Sequence, residues 1–190
     1  KTELSIGDQE VAFHFNDIAE SVMTLDKQTI LSQLLYIRWK RGDPTAFAEL
    51  VKHWERPLIY YIRRLLGEGR DEWDVLQEIW IRAYQGLNSL RDPNCLSVWL
   101  YRIAHRTVMK HLRDKYHEPP VDDATDLASV EPAAESEADF TDDDAERLHR
   151  SLTQLQIHFR EVLTLHFLEG MSIQNISEVL DVPTGTVKSR

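Results

Sequence analysis

The sequence has a single cysteine, Cys95, so no intramolecular disulfide can staple the chain. With no Cys/His cluster around it, that thiol reads as a structural residue of a reducing, cytoplasmic compartment. No apolar run approaches the roughly 20 residues that cross a bilayer, so no membrane insertion is expected. The first residues lack a basic start followed by an apolar run, so no signal peptide is expected either. Also missing are a Gly-rich phosphate loop, an H-E-x-x-H pair and a metal-ligand cluster. The eight histidines are scattered, and His14, His53, His149 and His166 read as surface or capping residues. The chain is therefore expected to be no enzyme and to hold no cofactor or metal. It begins at Lys1 rather than Met and stops inside its last helical pattern at Arg190. A longer natural chain is the expectation.

The residues that are present describe a globular protein. Apolar side chains make up 42% of the 190 residues, enough for one or two small domains with real cores. The formal charge of −10 argues against a polyanionic partner, but its distribution reverses that argument. Residues 122–146 carry 11 acidic and no basic side chains, whereas residues 33–121 carry 15 basic and 11 acidic ones. The first folded part is thus mildly basic, and a local basic face matters more for phosphate binding than net charge does.

Helical periodicity divides the chain. In residues 1–28, Ile18, Val22 and Leu25 follow Asn16-Asp17 at helical spacing, which reads as a short helix docking on the next domain. Residues 29–41 form a helix with Ile30, Leu34, Leu35 and Ile37 as its apolar side, ended by Gly42. Asp43-Pro44 opens the next helix as cap and first residue, and Pro57 is expected to kink or break it before Gly67. Residues 71–87 form a third helix on a Leu76, Ile79, Trp80, Ala83 and Leu87 stripe, with acidic residues at its positive end. After a loop at 88–98 comes W-L-Y-R-I-A-H-R-T-V-M-K-H-L-R-D-K, residues 99–115. Trp99, Leu100, Ile103, Thr107, Val108 and Leu112 give it an apolar face. Arg102, Arg106, Lys110 and Arg113 line up on the opposite side at about 3.6 residues per turn. That stripe is either a solvated face or a surface for a polyanion. Pro119-Pro120 stop the helix, and the acidic stretch that follows has too few large apolar side chains to offset its ordering entropy, so it reads as a flexible linker. Its acids could also cover the basic face when DNA is absent.

The C-terminal part returns to helix over 147–169, on Leu148, Leu152, Leu155, Phe159, Val162, Leu163 and Phe167. Then Ser172 caps a short helix to Leu180, Asp181-Val182-Pro183 turns, and Thr184 caps a second helix exposing Thr186, Lys188, Ser189 and Arg190. Two short helices joined by a tight turn are either an ordinary hairpin or a DNA-reading helix-turn-helix, whose second helix enters the major groove by its N-terminus.

Three stretches together resemble the extracytoplasmic-function sigma factors, small members of the bacterial sigma-70 family. They are R-G-D-P-T-A-F-A-E-L at 41–50, D-E-W-D-V-L-Q-E-I-W-I-R-A-Y at 71–84 with V-W-L-Y-R-I-A at 98–104, and the whole of G-M-S-I-Q-N-I-S-E-V-L-D-V-P-T-G-T-V-K-S-R at 170–190. The resemblance implies an all-α fold of two small helical domains. Residues 29–117 would be the first, 118–146 the acidic linker and 147–190 a C-terminally incomplete second, after an extension at 1–28. It implies core RNA polymerase, promoter DNA and an anti-sigma factor as partners. Asp74, Gln77 and Glu78 match polymerase-binding positions. Asn94, Arg102, Arg106, Lys110 and Arg113 lie in the stretch that would hold the minus-ten element. Thr184, Thr186, Lys188, Ser189 and Arg190 lie in the helix that would read the minus-thirty-five element. The chain departs from the family at His105-Arg106, where the second residue is commonly Asn. A guanidinium binds phosphate or stacks on a base but cannot supply an amide's paired donor and acceptor. A stand-alone helix-turn-helix regulator would account for 170–190 but not for the signature at 71–113, and a helical adaptor would leave the basic stripe unused.

Overall fold

The computed structural model describes residues 27–67, 71–116, 151–152 and 154–190, and among them there is helix and no strand. The readings made of residues 1–26 and of the acidic linker lie outside these residues. Helix α1 spans 27–40 and stops at Gly42, which takes φ 86° and bonds back to the Trp39 carbonyl. Of its expected apolar side only Leu35 is buried. Ile30 is 63% exposed, and Leu31, Leu34 and Ile37 also face outward, while Ser32, Leu35 and Tyr36 are buried. Polar satisfaction explains the rotation. Ser32 donates to the Gln28 carbonyl and accepts from the Trp54 indole, and the Tyr36 hydroxyl reaches the Leu90 carbonyl, so these polar groups enter the core already paired.

Helix α2, Ala46–Leu66, starts two residues later than expected, with Thr45 in the cap position. Asp43 still supplies the capping oxygen, accepting from the Thr45 amide at 2.9 Å and its hydroxyl at 2.7 Å. Those bonds, with Arg38, hold the Asp43 carboxyl down at about 2. Pro57 does not break the helix. The proline costs one intrahelical bond, but the residues around it, Trp54, Leu58, Ile59, Tyr61 and Ile62, are all buried, and that burial outweighs a single missing bond.

Helix α3, Asp71–Gly86, buries Leu76, Ile79 and Ala83 of its expected stripe and adds Val75, while Trp80 is only half-buried; Leu87 follows in a 3-10 turn. Helix α4, Leu96–Tyr116, begins three residues before Trp99. The Asp92 carboxylate accepts from the Asn94 amide and Pro93 occupies the first position of a 3-10 turn, so the chain is already winding when it reaches Leu96. Tyr101 and Ala104 join the expected apolar face of α4 as fully buried residues. Trp99 is half-buried over Gly86, where a Cβ would come within 3.1 Å of its ring.

The expected continuous helix over 147–169 is interrupted at Leu155-Gln156, and α5 runs Ile157–Leu163 before widening into a π-helical turn, Thr164–Leu168. Arg160 accounts for the interruption. Its guanidinium donates to the Leu155 carbonyl at 2.8 Å and to the Arg64 carbonyl of α2 at 3.1 Å, partnering a carbonyl at the break. The wide turn swings Phe167 outward to 72% exposure, against the inward placement expected, while Thr164 and Leu165 are buried. Helix α6, Ile173–Leu180, is capped by Ser172, whose oxygen accepts from the Asn175 amide at 3.1 Å. Asp181 makes the turn in the left-handed conformation at φ 58°. Helix α7, Thr184–Ser189, has Pro183 rather than Thr184 in the cap position, because proline's fixed φ suits the entry and Thr184 is already helical.

The helices form two modules that share a core. In the first, α2 and α3 pack on each other and on α4; in the second, α5, α6 and α7 fold together. The second module lies against the first, with α6 on α4 and α5 on α2, and Leu100, Ala104, Val108, Leu165, Ile176 and Val179 belong to one apolar cluster.

Candidate nucleic-acid and polymerase interfaces

Amphipathicity leaves α3 with a second, outward face. Asp74 and Gln77 are exposed there and Glu78 is half-buried. Glu78 accepts from Arg82 one turn on at 2.6 Å and lies 3.8 Å from Lys110 of α4, and these cations hold its carboxyl below the usual range, Arg82 foremost. Trp73, Ile81 and Tyr84 are each more than half exposed beside them. Sequence reasoning missed these three because it scored apolar residues for burial. The available signal was a second apolar row at 73, 81 and 84, off the core stripe. Tyr84 is braced by Phe47 at 5.0 Å and Trp39 at 5.4 Å between ring centroids, so its ring is held in place.

The basic stripe of α4 divides. Arg106, Lys110 and Arg113 are exposed. Arg102 is half-buried and donates to the Glu178 carbonyl of α6 at 2.9 Å, so the helix-turn-helix covers that end of the stripe. Asn94 is exposed beside the α4 N-terminus but tied down, donating to Asp92 and accepting from Gln33 of α1. In α7, Val187 is buried and orients the others: Lys188 and Ser189 are exposed, and Thr184, Thr186 and Arg190 half-buried. The structure thus brings Arg106, Lys110 and Arg113 together on one face. The polymerase-matching trio shares α3, and the α7 residues stand apart from both.

Two carboxylates of the second module enter the junction between modules. Glu161 of α5 accepts from the Tyr61 hydroxyl of α2 and meets His105 Nδ1 of α4 at 2.7 Å. Glu169, after the π turn, accepts from the Tyr101 hydroxyl of α4. Burial raises the Glu169 carboxyl to about 7, only partly opposed by the Tyr101 hydrogen bond, and burial also drives the Tyr61 and Tyr101 hydroxyls well above their usual value. Among the described residues no three His, Cys, Asp or Glu are grouped to hold a metal ion, and no helix is long and apolar enough to cross a membrane.

Residues 50–118 match the family model for Sigma-70 region 2, and residues 145–190 that for Sigma-70, region 4. The RNA polymerase sigma-H factor of Pseudomonas aeruginosa is 34% identical over 167 residues, covering 83% of this chain and 86% of that protein. The chain belongs to the extracytoplasmic-function sigma factors of the sigma-70 family. The ECF RNA polymerase sigma-E factor of Escherichia coli K12 is 30% identical over 172 residues, 86% of this sigma factor and 90% of that one. Its two-module helical fold is that of solved sigma-factor structures. The sigma factor RpoE bound to the anti-sigma factor NepR from Bartonella quintana matches with a TM-score of 0.60 at 20% identity, over 76% of this chain and 89% of that one. CnrH bound to the cytosolic domain of CnrY matches with 0.58 at 23%, over 84% and 88%.

Proposed function

We propose that this sigma factor binds core RNA polymerase, directs it to promoters and promotes DNA opening there, performing no chemistry itself and acting in the cytoplasm. The observation that carries this reading is the order of region 2 and region 4 on one chain, each with an exposed face suited to its task. Residues 29–117 form the polymerase- and minus-ten-binding unit, 118–146 the linker and 147–190 the minus-thirty-five reader. On α3, Asp74, Gln77 and Glu78 contact polymerase, with Trp73, Ile81 and Tyr84 as apolar anchors. Arg106, Lys110 and Arg113 hold the phosphates of the opened strand, and Asn94 stands at the edge of that site. Thr184, Thr186, Lys188, Ser189 and Arg190 face the duplex at minus thirty-five. An anti-sigma factor is a further partner, by analogy with the RpoE–NepR pair.

The two elements lie about 25 base pairs apart, roughly 85 Å along the duplex at about 3.4 Å per step. Modules in direct contact cannot reach both, so engaging a promoter separates them. The experiment is transcription by core polymerase from a promoter library, with and without this protein. Protein-dependent start sites sharing two spaced motifs are the expected result. Polymerase-independent binding to a palindromic duplex would replace this reading with a stand-alone regulator.

A further inference from the structure

Where the second module meets the first, the packing leaves a cavity of about 230 Å³. Gln28 and Ser32 of α1 line one side, Asn94 and Ser97 at the start of α4 another, and Glu169 and Asn175 of the second module close it. Trp54 and Tyr101 form its aromatic floor. It is smaller than the roughly 300–1,000 Å³ of pockets for drug-sized molecules, and suits a group no larger than a side chain.

The two acids of this junction, Glu161 buried and Glu169 half-buried, are treated differently. Glu161 has both a hydroxyl and an imidazole against it. Glu169 has only the Tyr101 hydroxyl, and among the described residues no Lys, Arg or His stands within ion-pair distance of it. Desolvation without a neighbouring cation disfavours the ionised carboxylate of Glu169, so it is held protonated up to near-neutral pH. A carboxyl left this way, at the edge of a polar cavity with an aromatic floor, is chemically complementary to a cation, which would find a counter-ion, amide and hydroxyl acceptors, and ring faces in one place. The chain has little of its own to supply. Outside the described residues its only Lys and Arg are Lys1, Arg70, Arg147 and Arg150.

We propose that this inter-module cavity is a binding site for one alkyl-guanidinium or alkyl-ammonium group seated against the Glu169 carboxylate, supplied by another molecule. Because its walls come from both modules, an occupant bridges them and favours the packed arrangement.

The test uses the whole chain with two probes: agmatine, and the blocked tripeptide acetyl-Gly-Arg-Gly-amide. The neutral citrulline analogue of the peptide serves as control. Binding is read from the Trp54 indole N–H resonance and from the Glu169 side-chain carboxyl carbon. Saturable binding is expected at pH 8 for the cationic probes and not for citrulline. It should weaken more than tenfold at pH 5.5, where Glu169 is protonated, and the Glu169 titration should move down in the complex. Glu169→Gln should weaken it at least tenfold, while Glu178→Gln, exposed on α6, should leave it unchanged. Tighter binding of the peptide than of agmatine identifies a polypeptide side chain as the natural source, and equal binding identifies a free amine; both uphold the site. No saturable shift with either cation, or equal affinity for citrulline, overturns it. The pH series and the citrulline control need no variant, so a misfolded mutant would not rescue the idea.

Discussion

Glu169 is the residue whose protonation the fold controls most openly. Its carboxyl titrates near 7 in the folded protein against about 4.5 in the unfolded chain. The folded state therefore holds a proton that the unfolded state has released between those values. Its contribution to stability is full below about pH 4.5, declines as pH rises and is gone above 7. The loss is on the order of 3 kcal/mol. Urea unfolding of wild type and Glu169→Gln should converge near pH 4.5 and diverge by pH 8, with the Gln variant the more stable, since its amide oxygen still accepts from Tyr101. The comparison cancels the other groups at the junction, His105 and Glu161 included. Parallel curves for the two proteins would show that Glu169 is not desolvated.

Among the elements, α2 and α3 carry the sharpest consequences. Pro57 sits inside an unbroken helix, so Pro57→Ala restores a donor and removes a ring from the helix interior. It should stabilise the protein by about 1–3 kcal/mol, read from the denaturation midpoint at constant slope. Replacing Trp73 and Tyr84 together by serine should leave the thermal midpoint within a few degrees, because both rings are more than half exposed. Polymerase binding should fall at least tenfold in a pull-down or titration, since large aromatic anchors dominate interfaces. An unchanged affinity would move the docking face off α3. These elements also show what the sequence made legible. The α6–α7 turn was readable because its determinants are local: Ser172 caps the helix it precedes and Asp181 turns it. The buried side of α1 was not, because Ser32 and Tyr36 become core residues only through Trp54 and Leu90, 22 and 54 positions away. The break at Leu155-Gln156 escaped for the same reason, its stabilising arginine being anchored on Arg64 of another helix. The basic residues of α4 were singled out by charge and spacing. Their unequal exposure, with Arg102 covered and Arg106 open, follows from module packing that periodicity cannot report.

At the scale of the whole molecule, the charge is arranged by segment, and binding should be strongly salt-dependent. Changing Arg106, Lys110 or Arg113 singly to Gln should weaken promoter binding across sequences and lower the salt slope by about 1 each, measured with polymerase holoenzyme over a range of KCl. Equal slopes would place these cations off the phosphates. The junction between modules is a second lever. Tyr61→Phe removes one hydrogen bond to Glu161, worth about 1 kcal/mol, and should raise the affinity of the free protein for a promoter fragment about fivefold, seen by fluorescence anisotropy. A lower or unchanged affinity would mean that the modules need not part.

The covered end of α4 sets an equilibrium as well as a shape. If the packed form outweighs the open one by about 3 kcal/mol, fewer than about 1% of free molecules present both reading surfaces at once, and apparent promoter affinity falls by that fraction. A partner that takes hold of α3 while the modules are apart recovers the whole of that hundredfold. On the proposed reading, promoter choice is silent in the free molecule and audible only in the assembled one, an AND gate made of two hydroxyls, two carboxylates and an imidazole.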